Sequence, residues 1–304
     1  MANLIEIAQS TPKFIKRFVP FSVKAGIKIR LADIIRWYQG FNSELRALPS
    51  FIIVGAQKCG TTTLYDQLSQ HPNIVPAIFK ETYYFNINYN KGLDWYRANF
   101  PILTGKDSEL SDGTARLITG ESTTGYMYYP YGFERIAKTL PDVKIIIMLR
   151  NPVDRAYSSY HHQKIRGYEK YSFEEAITLE EERLAPDLER MSRDQNYYGY
   201  NFRRFSYLAR GIYIDQVKRC FEHFPKERVL IIASEEFFTD NPAIYEVVLE
   251  FLDLPKIRLP EYKNIAKQNY EKMRPETRKR LVDYYLPYNT RLYELLGRKF
   301  DWDK

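Results

Sequence analysis

The residues of this chain with the most chemistry to offer sit in one short run, Gly55-Ala-Gln-Lys58-Cys59-Gly60-Thr61-Thr62-Thr63. Two glycines bracket a lysine, and three hydroxyls follow the second glycine. Glycine allows close backbone approach to a ligand, and a helix N-terminus offers free amides and a positive dipole end to an anion. The chemistry implied is the holding of a phosphate, with Lys58 reaching its terminal oxygens. An ATPase loop places Lys and then Ser or Thr directly after its second glycine; here Lys58 lies two positions before Gly60. A plain tight turn would explain the glycines but not the lysine and hydroxyls with them. A second group, Arg150 and Ser158, stands eight residues apart across one turn and can grip one phosphate.

Strand ends must carry these side chains. Phe51–Val54 is an apolar run of strand length before the loop, and Leu64 and Leu68 share a helix face after it. Val143–Leu149 is a second buried strand ending at Arg150, with Pro152 opening a helix over 153–165. Arg228–Ala233 is a third, and Gly120–Pro130 reads as a strand end and loop. Helices are expected around Trp95-Tyr96 and over 133–140, 173–184, 214–224, 242–252 and 275–296. Glu174, Glu175, Glu180, Glu181 and Glu182 are expected to form a solvated helix face. The alternation predicts one α/β domain, a P-loop-like three-layer fold with a central parallel sheet flanked by helices. Ligands of such sheets bind outside the carboxyl ends of the strands, so both loops open on one crevice. Two phosphate grips in one crevice imply a cofactor phosphorylated at two separated places.

Composition bounds the rest. In 304 residues, 44% hydrophobic, no run approaches the roughly 18 apolar residues of a membrane span. No signal peptide is seen at the start, and Cys59 and Cys220 suggest no disulfide framework, so a reducing, cytoplasmic setting is expected. Of the formal +7, most lies in residues 1–48, where eight Lys/Arg face three acids. The near-neutral remainder speaks against a nucleic-acid binder. The basic segment 1–48 has helical spacing of Phe14, Phe18, Phe21, Ile27, Leu31 and Ile34. It is expected to pack on a domain spanning 49–304, with peripheral contact to an anionic membrane as the alternative. No His/Cys/Asp cluster has metal-ligand spacing.

With both motifs in view, the chain resembles a known family. Gln57-Lys-Cys-Gly-Thr-Thr-Thr-Leu64 resembles the 5′-phosphosulfate loop of sulfotransferases that use 3′-phosphoadenosine 5′-phosphosulfate (PAPS). Leu149-Arg-Asn-Pro-Val-Asp-Arg-Ala-Tyr-Ser-Ser-Tyr160 resembles their 3′-phosphate motif. Tyr89-Asn-Lys-Gly-Leu-Asp-Trp-Tyr96 and Leu295-Leu-Gly-Arg-Lys-Phe-Asp-Trp302 are most similar to heparan sulfate N-deacetylase/N-sulfotransferase domains and heparan 3-O-sulfotransferases. The N-terminal extension looks more like soluble bacterial members, cyanobacterial ones included. The resemblance implies that Lys58 contacts the 5′-phosphate and stabilises the leaving oxygen. Cys59, Gly60, Thr61, Thr62 and Thr63 would supply amides and hydroxyls there, and Arg150 and Ser158 would hold the 3′-phosphate. The product would be 3′,5′-adenosine bisphosphate (PAP). Glu81, in Lys80-Glu-Thr-Tyr-Tyr-Phe85, falls where the glycan enzymes keep a catalytic base; its residue type alone fits a salt bridge equally well.

The chain also departs from the family. Glu121-Ser-Thr123 stands where the glycan enzymes often have Glu-Lys-Thr/Ser, so acceptor contacts there are in question. The disulfide-closed loop of the Golgi enzymes is replaced by Asn264–Met273, whose Lys267 and Lys272 are candidates for a cofactor lid. Tyr84, His162 and the Tyr-rich stretch with Tyr197 and Tyr198 are candidates for acceptor contact; a Tyr-rich surface loop is the plainer account of that stretch. The expected function is sulfuryl transfer from PAPS to a hydroxyl or amine of a carbohydrate or small polar natural product. The alternatives are transfer confined to a small secondary metabolite (toxin-type tailoring), a P-loop nucleotide kinase or ATPase, and an inactive nucleotide-binding or membrane-surface module.

Overall fold

The computed structural model describes residues 35–36, 39–103, 116–265 and 270–303. Most of the expected N-terminal extension lies outside them. Its described end packs on the domain: the Arg46 guanidinium donates to the Phe100 carbonyl (2.7 Å).

Among the described residues four strands, β1 (Phe51–Gly55), β2 (Gly120–Ser122), β3 (Lys144–Leu149) and β4 (Val229–Ala233), make one parallel sheet in the order β2-β1-β3-β4. The three expected strands are joined by Gly120–Ser122, a short full member of the sheet rather than only a strand end. Runs of Ile and Val suit strands because their stiff, branched side chains pack well on a pleated surface. A parallel sheet is covered on both faces, so its strands are unbroken apolar runs. Every residue of β1 is buried, as is all of β3 beyond Lys144. β2 begins with glycine for a packing reason: Phe51 is its register partner, and a Cβ on Gly120 would come within 2.4 Å of the Phe51 ring.

Among the described residues beyond β1, the α-helices are α1 (Thr61–Leu68), α2 (Leu93–Arg97), α3 (Gly132–Thr139), α4 (Pro152–Ile165), α5 (Phe173–Thr178), α6 (Glu180–Arg193), α7 (Tyr200–Phe205), α8 (Tyr213–His223), α9 (Ser234–Thr239), α10 (Asn241–Phe251) and α11 (Pro275–Leu296). Among the described residues no helix is long and apolar enough to cross a membrane. The helix expected over 173–184 is two helices, and its acidic face is not uniformly solvated. Glu175 closes a capping box with Ser172. Glu180 is buried, where it accepts the backbone amides of Leu208 (2.6 Å) and Ala209 (2.8 Å). Burial raises its carboxyl to about 7 against those bonds. The need of two distant amides for an acceptor, invisible in local sequence, draws this glutamate inward.

In the strand order the chain runs from β1 to β2 on one side, then returns to β3 on the other. The switch point lies between β1 and β3, and all four strands end on the same edge. Substituting Gly120→Ala should cost ~1–3 kcal/mol by overpacking against Phe51, read as a lowered denaturation midpoint with an unchanged slope.

Candidate active site

Because β1 is buried to its last residue, the chain turns as soon as it leaves the sheet. Ala56 N donates to the Met148 carbonyl (2.7 Å), tying the start of the loop to β3. Lys58 has a φ of +72° and Gly60 one of +90°. Only glycine adopts such values freely, so Lys58 is held there by its surroundings. The Lys58 carbonyl accepts from Arg150 (3.3 Å), and the Cys59 carbonyl from the Ser234 hydroxyl (2.6 Å) beyond β4. The Gln57 side-chain oxygen accepts from Arg210 (3.1 Å) and Ser159 (3.4 Å). Three other segments therefore mould the loop.

After Gly60, α1 begins with no side-chain cap and no acidic residue in its first turn. Thr61 and Thr63 are buried and Thr62 is exposed; the Thr63 Oγ1 is enclosed without a hydrogen-bond partner among the described residues. The N-terminal amides thus open toward the loop.

At the end of β3, the Arg150 carbonyl accepts from the Tyr213 hydroxyl (3.0 Å). Asn151 caps α4 through Val153 N (3.0 Å), while its own N–H donates to Glu235 Oε1 (2.8 Å). Ser158 is buried two turns along α4. Positive groups crowd this crevice. Burial first, then Arg150 and Arg166, lowers the Lys58 ammonium to about 8. Burial, then Arg166 and Lys58, pushes His162 down to about 4. A lysine and a histidine whose protonation neighbouring cations disfavour mark a place suited to an anion.

Glu81 lies on a segment fastened to β2. Ser122 N donates to the Lys80 carbonyl (2.9 Å), and Thr82 N donates to Thr123 Oγ1 (3.1 Å). Below it is Glu121, a fully buried carboxylate that accepts hydroxyls from Tyr96 (2.6 Å), Thr123 (2.7 Å), Thr82 (2.9 Å) and Tyr126 (3.3 Å). Burial raises its carboxyl and those hydroxyls oppose the rise. Glu81 itself is half-buried and accepts from the Tyr83 hydroxyl. The Lys80 ammonium reaches Thr62 Oγ1 (2.6 Å), placing this segment beside the start of α1.

Residues 48–285 match the profile of the sulfotransferase domain. The chain belongs to that family. A membrane-associated sulfotransferase, kil1, of Dictyostelium discoideum is 27% identical over 85% of this chain and 67% of its own length. The bifunctional heparan sulfate N-deacetylase/N-sulfotransferase 2 of Bos taurus is 30% identical over 83% of this chain, which spans only 30% of that protein. The crystal structure of a sulfotransferase from Alicyclobacillus acidocaldarius superimposes with a TM-score of 0.67 at 32% identity, covering 85% of this chain and 100% of that one.

In this sulfotransferase domain Lys58, Thr61, Thr62, Thr63, Arg150 and Ser158 flank the switch point, with Glu81 nearby through Lys80. Cys59 has no exposed surface; its thiol sits 3.9 Å from the Tyr213 hydroxyl and burial pushes it up to about 11, so only its backbone faces the loop chemistry. Tyr84 lies in the core, stacked on Tyr96 (4.4 Å between ring centres), rather than on the crevice wall. Tyr197 donates to Asp187 Oδ1 (2.7 Å) beneath the Arg190 guanidinium, both on α6. Tyr198 is half-buried, edge-on to Tyr129, and lies near enough to Tyr83 to act on its hydroxyl. Lys267 lies outside the described residues; Lys272 is exposed ahead of α11. Sequence reasoning missed Arg166, Arg210, Lys80 and the Glu121 hub. Only the polar string Thr82, Glu121, Thr123 hinted at the last.

Glu121→Ala would take the acceptor from the buried Tyr96 and Thr123 hydroxyls, at ~1–3 kcal/mol for each buried group left unsatisfied, while the Thr82 and Tyr126 hydroxyls keep each other as partners (2.8 Å). Urea denaturation should show a loss of at least about 2 kcal/mol for Glu121→Ala and a clearly smaller one for Glu121→Gln, which keeps the shape and one acceptor.

Proposed function

We propose that this domain transfers the sulfuryl group of PAPS to a hydroxyl or amine of a carbohydrate or small polar natural product. One observation carries the proposal: Lys58 and Arg150, from loops on opposite sides of the switch point, meet at a 3.3 Å hydrogen bond while repelling each other electrostatically. A doubly phosphorylated nucleotide relieves that repulsion from both sides. The fit is supported by the uncapped α1 amides and the enclosed Thr63 hydroxyl.

PAPS, when bound, supplies an activated sulfuryl on a 5′-phosphate leaving group. Lys58 and the amides from Gly60 to Thr63 would hold the 5′-phosphate and meet the negative charge that grows on its bridging oxygen. Arg150 and Ser158 would hold the 3′-phosphate. Glu81 would accept the proton of the acceptor O–H or N–H. The names of the relatives support glycan acceptors, and the half-buried Tyr198 beside Tyr83 offers an aromatic edge to a sugar or similar ring. Confinement to a small secondary metabolite is the alternative within the same chemistry.

Incubation of the protein with PAPS and a panel of glycans, alcohols and amines should give one product heavier by a sulfuryl group, with PAP released. Lys58→Ala should lower kcat by ~10²–10³-fold and Glu81→Gln by ~10²–10⁴-fold, the latter leaving PAP affinity intact. Release of ADP from ATP with magnesium, and no turnover of PAPS, would sink the proposal.

A bound phosphate favours the protonated Lys58, so its affinity falls once the free ammonium deprotonates. PAP affinity should therefore be lost as pH rises through about 8, and weaken below ~6, where the phosphate loses its second charge. Calorimetric titration against pH checks this; Lys58→Ala should flatten the upper limb and leave the lower one.

A further inference from the structure

The side chain of Gln57 makes a second tie between the two loops that Arg150 joins. Gln57 stands immediately before Lys58, and its Oε1 accepts from the Ser159 hydroxyl (3.4 Å) as well as from Arg210 (3.1 Å). Ser159 follows Ser158 on α4, so one amide spans from the loop after β1 to the helix after β3. An amide oxygen has two lone pairs, and here each meets a donor. Arg210 is the donor with the firmer footing. It is buried on the short turn Ala209–Gly211. Glu180 accepts the amides of Leu208 (2.6 Å) and Ala209 (2.8 Å), the Leu208 carbonyl accepts from Tyr285 (2.9 Å), and the Arg210 carbonyl from Gln216 (3.0 Å). From that anchor the guanidinium also donates to the Arg203 (3.2 Å) and Phe202 (3.4 Å) carbonyls at the end of α7, and it lies over the Tyr128 ring (4.7 Å). These hydrogen bonds all go to neutral oxygens, and Nε is enclosed without a partner among the described residues. Burying a guanidinium without an acid costs stability, so packing alone does not account for it. What a planar fork of donors adds is direction, because several fixed oxygens are bonded at once. The cations felt at Lys58 are Arg150 and Arg166; Arg210 bears on the loop through its hydrogen bond.

We infer that Arg210 is a positioning residue: acting through Gln57, it sets the separation between the loop that would hold the 5′-phosphate and the helix that would hold the 3′-phosphate. It is assigned no contact with either phosphate. A grip that is free to shift can still close on a single phosphate. Two phosphates fixed on one nucleotide need both grips at one spacing at the same moment, and a spacing set beforehand lowers the ordering cost of binding. Arg210 therefore acts on the gain from holding both phosphates together more than on the hold of either one.

This inference rests on the proposed use of PAPS and is separable from it with two ligands that differ only in the 3′-phosphate, 5′-AMP and PAP, titrated by calorimetry. In the wild type the 3′-phosphate should tighten binding by ~10²-fold, the scale of hydrogen bonds to a charged group. For Arg210→Met that factor should shrink about tenfold, while the Kd for AMP changes less than about threefold. Arg210→Lys, which keeps one donor, should recover part of the factor. Gln57→Leu cuts the same tie from the half-buried side and leaves the bonds of Arg210 to α7 in place. It should shrink the factor equally, and adding Arg210→Met to it should change the factor by less than about twofold more. Retained AMP binding reports that a variant is folded; if Arg210→Met does not fold, Arg210→Lys and Gln57→Leu carry the comparison. Equal weakening of AMP and PAP would overturn the inference, since Arg210 would then shape the loop alone. An unchanged factor, or losses that add in the double variant, would overturn it as well. A wild-type protein that binds AMP and PAP alike would instead remove the two-phosphate reading on which it stands.

Discussion

The Arg150 guanidinium donates to the Lys58 carbonyl across the switch point of the sheet, and the site depends on that contact. It joins the loop after β1 to the loop after β3, which are 92 residues apart in sequence. Each partner is held from behind. Tyr213 fixes the carbonyl of Arg150, Ser234 that of Cys59, and Arg210 the side chain of Gln57. The left-handed backbone at Lys58, unfavourable for a lysine, persists because so many neighbours specify it. Displacing any one of them would free the loop to relax and would move the lysine from the helix end it faces.

Holding the loop in this way concentrates positive charge. Lys58 and Arg150 are half-buried, the exposed Arg166 adds its field to Lys58, and Lys80, on the segment fastened to β2, bonds to Thr62. Burial and the neighbouring Arg150 and Arg166 both disfavour the charged form of Lys58. The surrounding fold offsets that tension with neutral packing. β1 and β3 are sealed in the core, and the fully buried Glu121 is satisfied by hydroxyls rather than by a cation. A carboxylate bonded in this way fixes the 80–84 segment without drawing on any cation.

Family membership and fold agree with this picture. A sulfotransferase domain spanning most of the chain sits on a parallel sheet whose carboxyl edge gathers the relevant loops, and a crystal structure at 32% identity shares the architecture. The heparan sulfate relatives contain much more chain than is present here, so what they act on bears on this domain only by way of proposal.

Much of the layout was legible in the amino-acid sequence alone. Apolar runs ending in Gly55 and Arg150 marked buried parallel strands, and the glycine, lysine and threonine spacing marked the loop and helix start. Such features follow from local physics: strand burial on both faces, backbone freedom at glycine, and amides exposed at a helix end. Other features needed the tertiary structure. Nothing near Glu180 shows that two amides from residues 208–209 will draw it inside, and nothing near Tyr84 shows that it stacks in the core. Nor could spacing reveal that Lys80 bends toward Thr62, or that Glu121 gathers hydroxyls from three separate segments. These are contacts between residues far apart in the chain, decided by which strand lies beside which. Periodicity within one segment carries no information about its neighbour, and the sheet order supplies it.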